Sequence, residues 1–286
     1  MGDYTVFHAI PWTGSYAIYF FVIGIAAALF FFSALGWYKE EYRPIRMSAF
    51  VLSFVLLVVG GVLLIADLSQ PGRFLNILNP AYLNFHSPLA WGGLNLISFG
   101  IVSVLYFLMM RGINEGNARK LAVLGSLLAA GLPIYTGFDL TVHQNRPVWN
   151  TPLMPILFLG LSLVSGAAVA SFLAKGEAKL LASLRQMMLW SAGGVAAMLI
   201  SLLGTTAYGG VGSELTFMLL TSGTLGLIFV GIGMIAGLAA PIVLLLAPFG
   251  RQQVGIALAA LLLLAGGMAL RYAILVGGQI VQTQYF

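Results

Sequence analysis

Three ionisable residues lie inside long apolar runs, and each is the only charge of its run. Asp67 closes the run from Phe50, Asp139 nearly closes the run from Leu121, and Arg271 falls seventeen residues beyond Val254. At 1.5 Å per helical residue, each stands roughly 25 Å above the start of its run. An ionised group at that depth costs a few kcal/mol unless it is paired or hydrated, so such residues are functional suspects. Asp is too short to reach far toward water, and it needs a polar neighbour or a cavity. Ser69, Gln70 and Arg73 follow Asp67 closely, while Tyr135, His143 and Arg146 flank Asp139. Acid, phenol, imidazole and guanidinium at one depth suit a lipophilic ligand whose polar head takes up and releases protons. The structural alternatives are that the charges snorkel to the interface, or that Arg271 neutralises one of the aspartates.

The histidines exclude other chemistry. His8, His86 and His143 all fall in connections or at their edges, whereas a membrane haem needs axial ligands projecting from helices into the bundle. No haem and no metal site are expected. The protein has no cysteine, so it cannot ligate an iron-sulfur cluster through thiolates of its own.

Long helices must hold these groups in place. The sequence is 60% apolar and 7% charged, against roughly a quarter charged in an ordinary soluble domain. Runs of about twenty apolar residues cross the bilayer core, and eight are present, at 16–37, 46–68, 89–110, 119–140, 154–174, 184–208, 217–246 and 254–282. The fold class is therefore all-α, a polytopic membrane bundle of eight helices. Residues 1–37 carry no Lys or Arg, so the first run is expected to remain as a helix and not to act as a cleaved signal.

The connections after runs one, three, five and seven hold Lys39, Arg43, Arg46, Arg111, Arg119, Lys120, Lys175, Lys179, Arg185 and Arg251, while the opposite side holds Arg73 and Arg146. By the positive-inside rule both termini face outward. The basic residues set orientation and do not point to nucleic acid. The two elaborate connections, 68–87 and 141–153, lie on the outward side, which is thus the expected working face. Residues 1–286 form one membrane domain; 1–147 and 148–286 can be read as two four-helix units, without a sequence repeat. Trp12, Tyr16, Tyr19, Trp91 and Trp149 fall near the outward interface and read as an aromatic belt. Gly24, Gly60, Gly61, Gly92, Gly93, Gly166, Gly193 and Gly194 read as close packing positions.

The segments GGVLLIADLSQPGRFLNIL (60–78), SPLAWGG (87–93), YTGFDL (135–140), RPVWNTPLMPILFLGLSLVSGAA (146–168) and ALRYAILVGGQ (269–279) resemble, in order, the NrfD/PsrC family of membrane subunits from polysulfide reductases and related respiratory complexes. The resemblance implies a haem-free subunit of the bacterial inner membrane that exchanges electrons between a quinone, menaquinone or ubiquinone, and an iron-sulfur partner. That partner would be a ferredoxin-like subunit docked on the periplasmic face, with a molybdenum-containing or multihaem catalytic subunit beyond it. The resemblance places Tyr135 at the family's quinone-facing tyrosine, and Asp67, Leu68, Pro71 and Arg73 at its element closing the second helix. The first helix departs from the family pattern and offers Trp12, Ser15 and Tyr16, with His8 further out. Asp139 is an additional acid. The expected catalytic set is Asp67, Tyr135 and Asp139. The expected quinone contacts are Trp12, Tyr16, Arg73, Tyr135, His143 and Arg271, with Tyr135 binding one quinone oxygen and Asp67 relaying the proton. The alternatives are an ion or small-molecule transporter, which needs charges or broken helices near the midplane, and a passive anchor for a redox complex.

Overall fold

The computed structural model describes residues 14–68, 70–79, 81 and 85–280. Eight helices in it are long and apolar enough to cross a membrane. These are α1 (Gly14–Leu35), α2 (Arg46–Ala66), α3 (Pro88–Leu108), α4 (Glu115–Thr141), α5 (Leu153–Leu173), α6 (Ala178–Ala207), α8 (Gly223–Leu246) and α9 (Gln253–Ile280), and a shorter α7 (Val211–Thr221) precedes α8.

The first helix is the hub. Its residues are apolar on every side, the pattern of a helix surrounded by protein, and it packs against α2, α4, α5 and α9. Between helices in lipid there is little hydrophobic driving force, so close contact rests on small residues and interhelical hydrogen bonds. A Cβ on Gly166 would lie 2.2 Å from the Cβ of Ala28, which joins α5 to α1, and a Cβ on Gly137 would meet the Pro155 backbone at 2.4 Å, which joins α4 to α5. Ser53 Oγ on α2 donates to the Ala26 carbonyl on α1 at 2.6 Å, and Asn95 Nδ2 on α3 donates to the Leu128 carbonyl on α4 at 3.0 Å. At the basic end, Tyr106 Oη lies 3.1 Å from Ser33 Oγ and accepts from Trp37 Nε1 at 2.9 Å, while the Arg46 guanidinium covers the Trp37 ring at 3.9 Å.

Several expectations are corrected. The seventh run is not one helix over 217–246: the helix stops at Thr221, passes through extended Ser222 and restarts at Gly223, whose φ is 62°. The hydroxyls of Thr221 and Ser222 turn back onto the carbonyls of Phe217 and Met218, and glycine accepts the left-handed geometry that a Cβ resists. The signal in the sequence is the small polar cluster Thr221-Ser222-Gly223-Thr224, which the flanking apolar residues mask. Gly24, Gly60 and Gly92 do stand at close approaches, but nothing lies within 4 Å of a Cβ placed on Gly61, Gly193 or Gly194. Nor is Trp149 in an interfacial belt. It is fully buried, it donates from Nε1 to the Ile274 carbonyl at 2.8 Å, and a Cβ on Gly278 would strike its ring.

Candidate functional site

The second helix packs on α1 and the third on α4, and the space between α2 and α3 is a cavity of about 600 Å³. Its walls are Gly61, Leu64, Ile65 and Leu68 from α2 and its end, and Leu89, Gly93, Leu96 and Ile97 from α3. Tyr19 of α1 and Tyr135 of α4 line it from the protein side, and Arg73, Phe74, Leu75 and Asn76 line it from the 3₁₀ turn Pro71–Leu78. The volume is that of an ordinary small-molecule site, and a mostly apolar wall with few polar groups is the usual lining of one.

The ring of Tyr135 reaches the cavity because α3 carries glycine opposite it. A Cβ on Gly92 would lie 2.0 Å from the Tyr135 ring, where no adjustment of a few tenths of an ångström would suffice. Pro133, two residues earlier, lacks the N–H that would complete a rung of α4, and Thr136 Oγ1 donates to the Pro133 carbonyl at 2.8 Å.

Asp67 stands one residue past the end of α2, where the carbonyl end of the helix dipole disfavours a carboxylate; capping therefore does not explain it. Its Oδ1 accepts from Ser15 Oγ of α1 at 3.0 Å, and its Oδ2 is buried without a hydrogen bond among the described residues. Its neighbours Ile65 and Leu68 line the cavity. Asp139, only 7% exposed, lies close enough to Tyr19 and Tyr135 for its charge to be felt at both phenols, and Tyr16 belongs to the same group. Among the described residues no donor reaches the Asp139 carboxylate.

The expected residues divide as follows. Tyr135 and Arg73 line the cavity; Asp67, Asp139 and Tyr16 do not, although Asp67 adjoins the lining residue Leu68 and Asp139 lies four residues beyond Tyr135 on α4. Trp12 lies outside the described residues, as does His8. His143 belongs to the connection after α4, where its ring meets Trp149 edge-on with centroids 5.4 Å apart. Burial pushes its imidazole below the ordinary histidine range; the Leu140 carbonyl opposes that shift and the nearby Arg146 guanidinium adds to it. Arg146 itself is buried and donates from Nη1 to the Gly278 carbonyl at 2.7 Å, fastening this connection to the end of α9.

Arg271 sits elsewhere. It is fully buried among α1, α5 and α9, where Nη1 donates to the Gly267 carbonyl at 3.0 Å, Nη2 donates to Ser162 Oγ at 3.2 Å, and the guanidinium lies 5.4 Å from the Phe21 ring centre. It forms no ion pair among the described residues, so it neutralises neither aspartate. Counting residues fixes a height along a helix but not the direction a side group takes around the bundle.

Tyr19 is the cavity residue that sequence reasoning assigned to the belt. It is 2% exposed and faces the protein interior. The available signal was its helix: a tyrosine on a span apolar all round points into protein. The described residues bring together no group of three or more His, Cys, Asp or Glu able to hold a metal ion.

The family model described as polysulphide reductase, NrfD, matches residues 5–282. A polysulfide reductase chain of Wolinella succinogenes is 32% identical, over 97% of this protein and 97% of its own length. A tetrathionate reductase subunit of Salmonella typhimurium is 33% identical over 51% of this protein and 44% of its own length, and protein NrfD of Escherichia coli is 24% identical over 57% and 59% respectively.

Proposed function

This chain belongs to the NrfD polysulphide reductase family, and from that premise we propose that it exchanges electrons between a membrane quinone and an iron-sulfur partner subunit, using the cavity between α2 and α3 as the quinone site. At the coarser level it is a multi-pass membrane subunit of a respiratory oxidoreductase complex. The observation that carries the finer reading is one cavity walled by aliphatic side chains and lined by two phenols, with two carboxylates near its lining residues that no cation among the described residues neutralises.

The donor set fits a quinone. Its head group is flat and apolar apart from two opposed oxygens, and its redox change takes up or gives off two electrons and two protons. Tyr135 donates a hydrogen bond to one oxygen, positioned by the absent side chain of Gly92. Tyr19 offers a second phenol from α1, and Arg73 and Asn76 supply donors from the 3₁₀ turn above. Asp67, with one oxygen held by Ser15 and the other buried without a hydrogen bond among the described residues, accepts a proton at Oδ2. Asp139, beside Tyr135 and Tyr19, is the second proton carrier. Protons cross by these side chains, while electrons pass to a separate cluster-bearing subunit, because this protein has no cysteine. The ferredoxin-like partner docks on the outward, periplasmic face, over the connection that roofs the cavity, with a molybdenum-containing or multihaem catalytic subunit beyond it.

The experiment that tests the proposal is Asp67→Asn in the assembled complex. Quinone-linked turnover is expected to fall by about a hundredfold, within the range contributed by a positioned proton carrier, with the subunits still co-purifying. Unchanged turnover would remove Asp67 from the mechanism. Extraction of the wild-type complex with organic solvent is expected to yield bound menaquinone or ubiquinone; if it yields neither, the passive-anchor reading takes over.

A further inference from the structure

A second cavity, about 350 Å³, opens at the basic end of the bundle where the α5–α6 and α8–α9 connections meet. Its floor is Leu181 and Ile256, both buried, and its polar wall is Arg185, Arg251 and Gln253. Local backbone geometry brings the two connections together: Lys175 and Gly176 take φ of 45° and 83°, and a Cβ on Gly176 would lie 3.7 Å from Gln253 Oε1. The two arginines differ in how they are held. Arg185 donates from both Nε, at 2.9 Å, and Nη2 to the Leu245 carbonyl, which fixes its guanidinium at the cavity wall. Arg251 is exposed and makes no hydrogen bond or ion pair among the described residues.

Positive charge predominates around this cavity, although Glu41 accepts from Ser183 Oγ beside it at 3.1 Å. Lys175, Lys179, Arg185 and Arg251 face a single carboxylate, Glu177, in the two connections, an excess of three positive charges from four cations and one anion. The long helices α6 and α9 also begin here; the carboxylate of Glu177, the N-cap residue of α6, offsets the dipole of that helix, and the α9 dipole adds to the positive field. We propose that this cavity binds a phosphate group, supplied by the head group of an anionic phospholipid. Two guanidiniums lining one cavity, one fixed and one free, supply the donors that a phosphate oxygen accepts, and basic pockets between membrane helices hold such head groups. The bilayer beside the helix ends is the source at hand; free inorganic phosphate has the same chemistry. The site lies at the end of the bundle opposite the Tyr135 cavity and does not depend on the function proposed for it.

The test uses the full-length protein with whatever subunits co-purify. It is reconstituted in phosphatidylcholine nanodiscs containing a minor share of phosphatidylglycerol, re-extracted in mild detergent, and the retained lipid is counted by native mass spectrometry. Inorganic phosphate is titrated separately into the detergent-purified protein. Phosphatidylglycerol is expected to be retained over phosphatidylcholine, and Arg251→Gln to reduce that retention by about fivefold. Because Arg251 makes no hydrogen bond or ion pair among the described residues, its variant should keep the wild-type thermal midpoint; Arg185→Lys, which loses the bond to Leu245, serves as the second variant. Saturable inorganic phosphate binding that is lost in Arg251→Gln would keep the site and name free phosphate as its occupant. Retention without lipid preference and no phosphate binding would overturn the proposal, as would equal retention in the wild type and Arg251→Gln.

Discussion

At the scale of the residue, the contact between Gly92 and Tyr135 determines whether the phenol can reach a ligand at all. In Gly92→Ala the new methyl would enter the Tyr135 ring, and the ring must leave the cavity wall. Bound quinone and quinone-linked turnover are both expected to fall by about tenfold or more, the worth of one good hydrogen bond to the ligand. Displacing the ring is also expected to lower stability, by about 1–3 kcal/mol, so thermal unfolding of the same sample must show a folded protein at the assay temperature. Arg271 gives the opposite expectation. It is a buried cation without a counter-charge among the described residues, and Ser162 Oγ keeps its own bond to the Phe158 carbonyl at 2.7 Å if the arginine is removed. Replacing such a group with an apolar one of similar length leaves nothing orphaned, so Arg271→Met should hold or raise the thermal midpoint. A drop of several degrees would reveal a negative partner that the guanidinium needs. Asp67 was singled out by its type and height in an apolar run; Tyr135 and Arg73, which line the cavity, were legible through the resemblance of their segments to the family. Tyr19 and Gly92 were not, since their roles depend on which way a side group or its absence faces around the helix axis, and sequence spacing within one span does not report the neighbouring span.

At the scale of the element, the connection from Thr141 to Leu153 behaves as a clamp. Arg146 and Trp149 fasten it to the carbonyls of Gly278 and Ile274, and His143 packs on Trp149. Burial disfavours the charged imidazole, so the folded protein binds this proton less readily than the unfolded chain does. The stability from neutral His143 is therefore fully present above the ordinary histidine pKa of about 6.5 and is lost as pH falls through that value toward the lower folded one. The thermal midpoint is expected to drop between about pH 7.5 and 5, and His143→Gln should flatten part of that slope; an identical slope in the variant would assign it to other groups. Span number and position were readable from apolar length alone. The break before α8 was missed because apolar residues flank it on both sides, although Thr221, Ser222, Gly223 and Thr224 form the small polar cluster that marks a turn.

At the scale of the whole molecule, ten of the thirteen cations gather at one end, and the bundle joins that end internally, with Tyr42 Oη 2.9 Å from Ser183 Oγ linking the α1–α2 connection to the start of α6. With eight spans, Gly14 and Ile280 both stand at the opposite end, and the positive-inside rule predicts that this end faces the periplasm. Reporter fusions after the C-terminus are expected to be active when the reporter requires export and silent when it requires the cytoplasm; the reverse pattern would turn the molecule over and put the Tyr135 cavity at the cytoplasmic face. The division of the cavity wall between α2 and α3, each anchored to a different neighbour, bears on how turnover must be measured. A ligand admitted between two lipid-facing helices is drawn from the bilayer, so the proposed quinone reaction is expected to respond to quinone per lipid molecule and not to quinone per litre. Adding empty detergent micelles or lipid at constant total quinone should slow the reaction as dilution would, and saturation curves become comparable between preparations only when plotted against mole fraction in the hydrophobic phase.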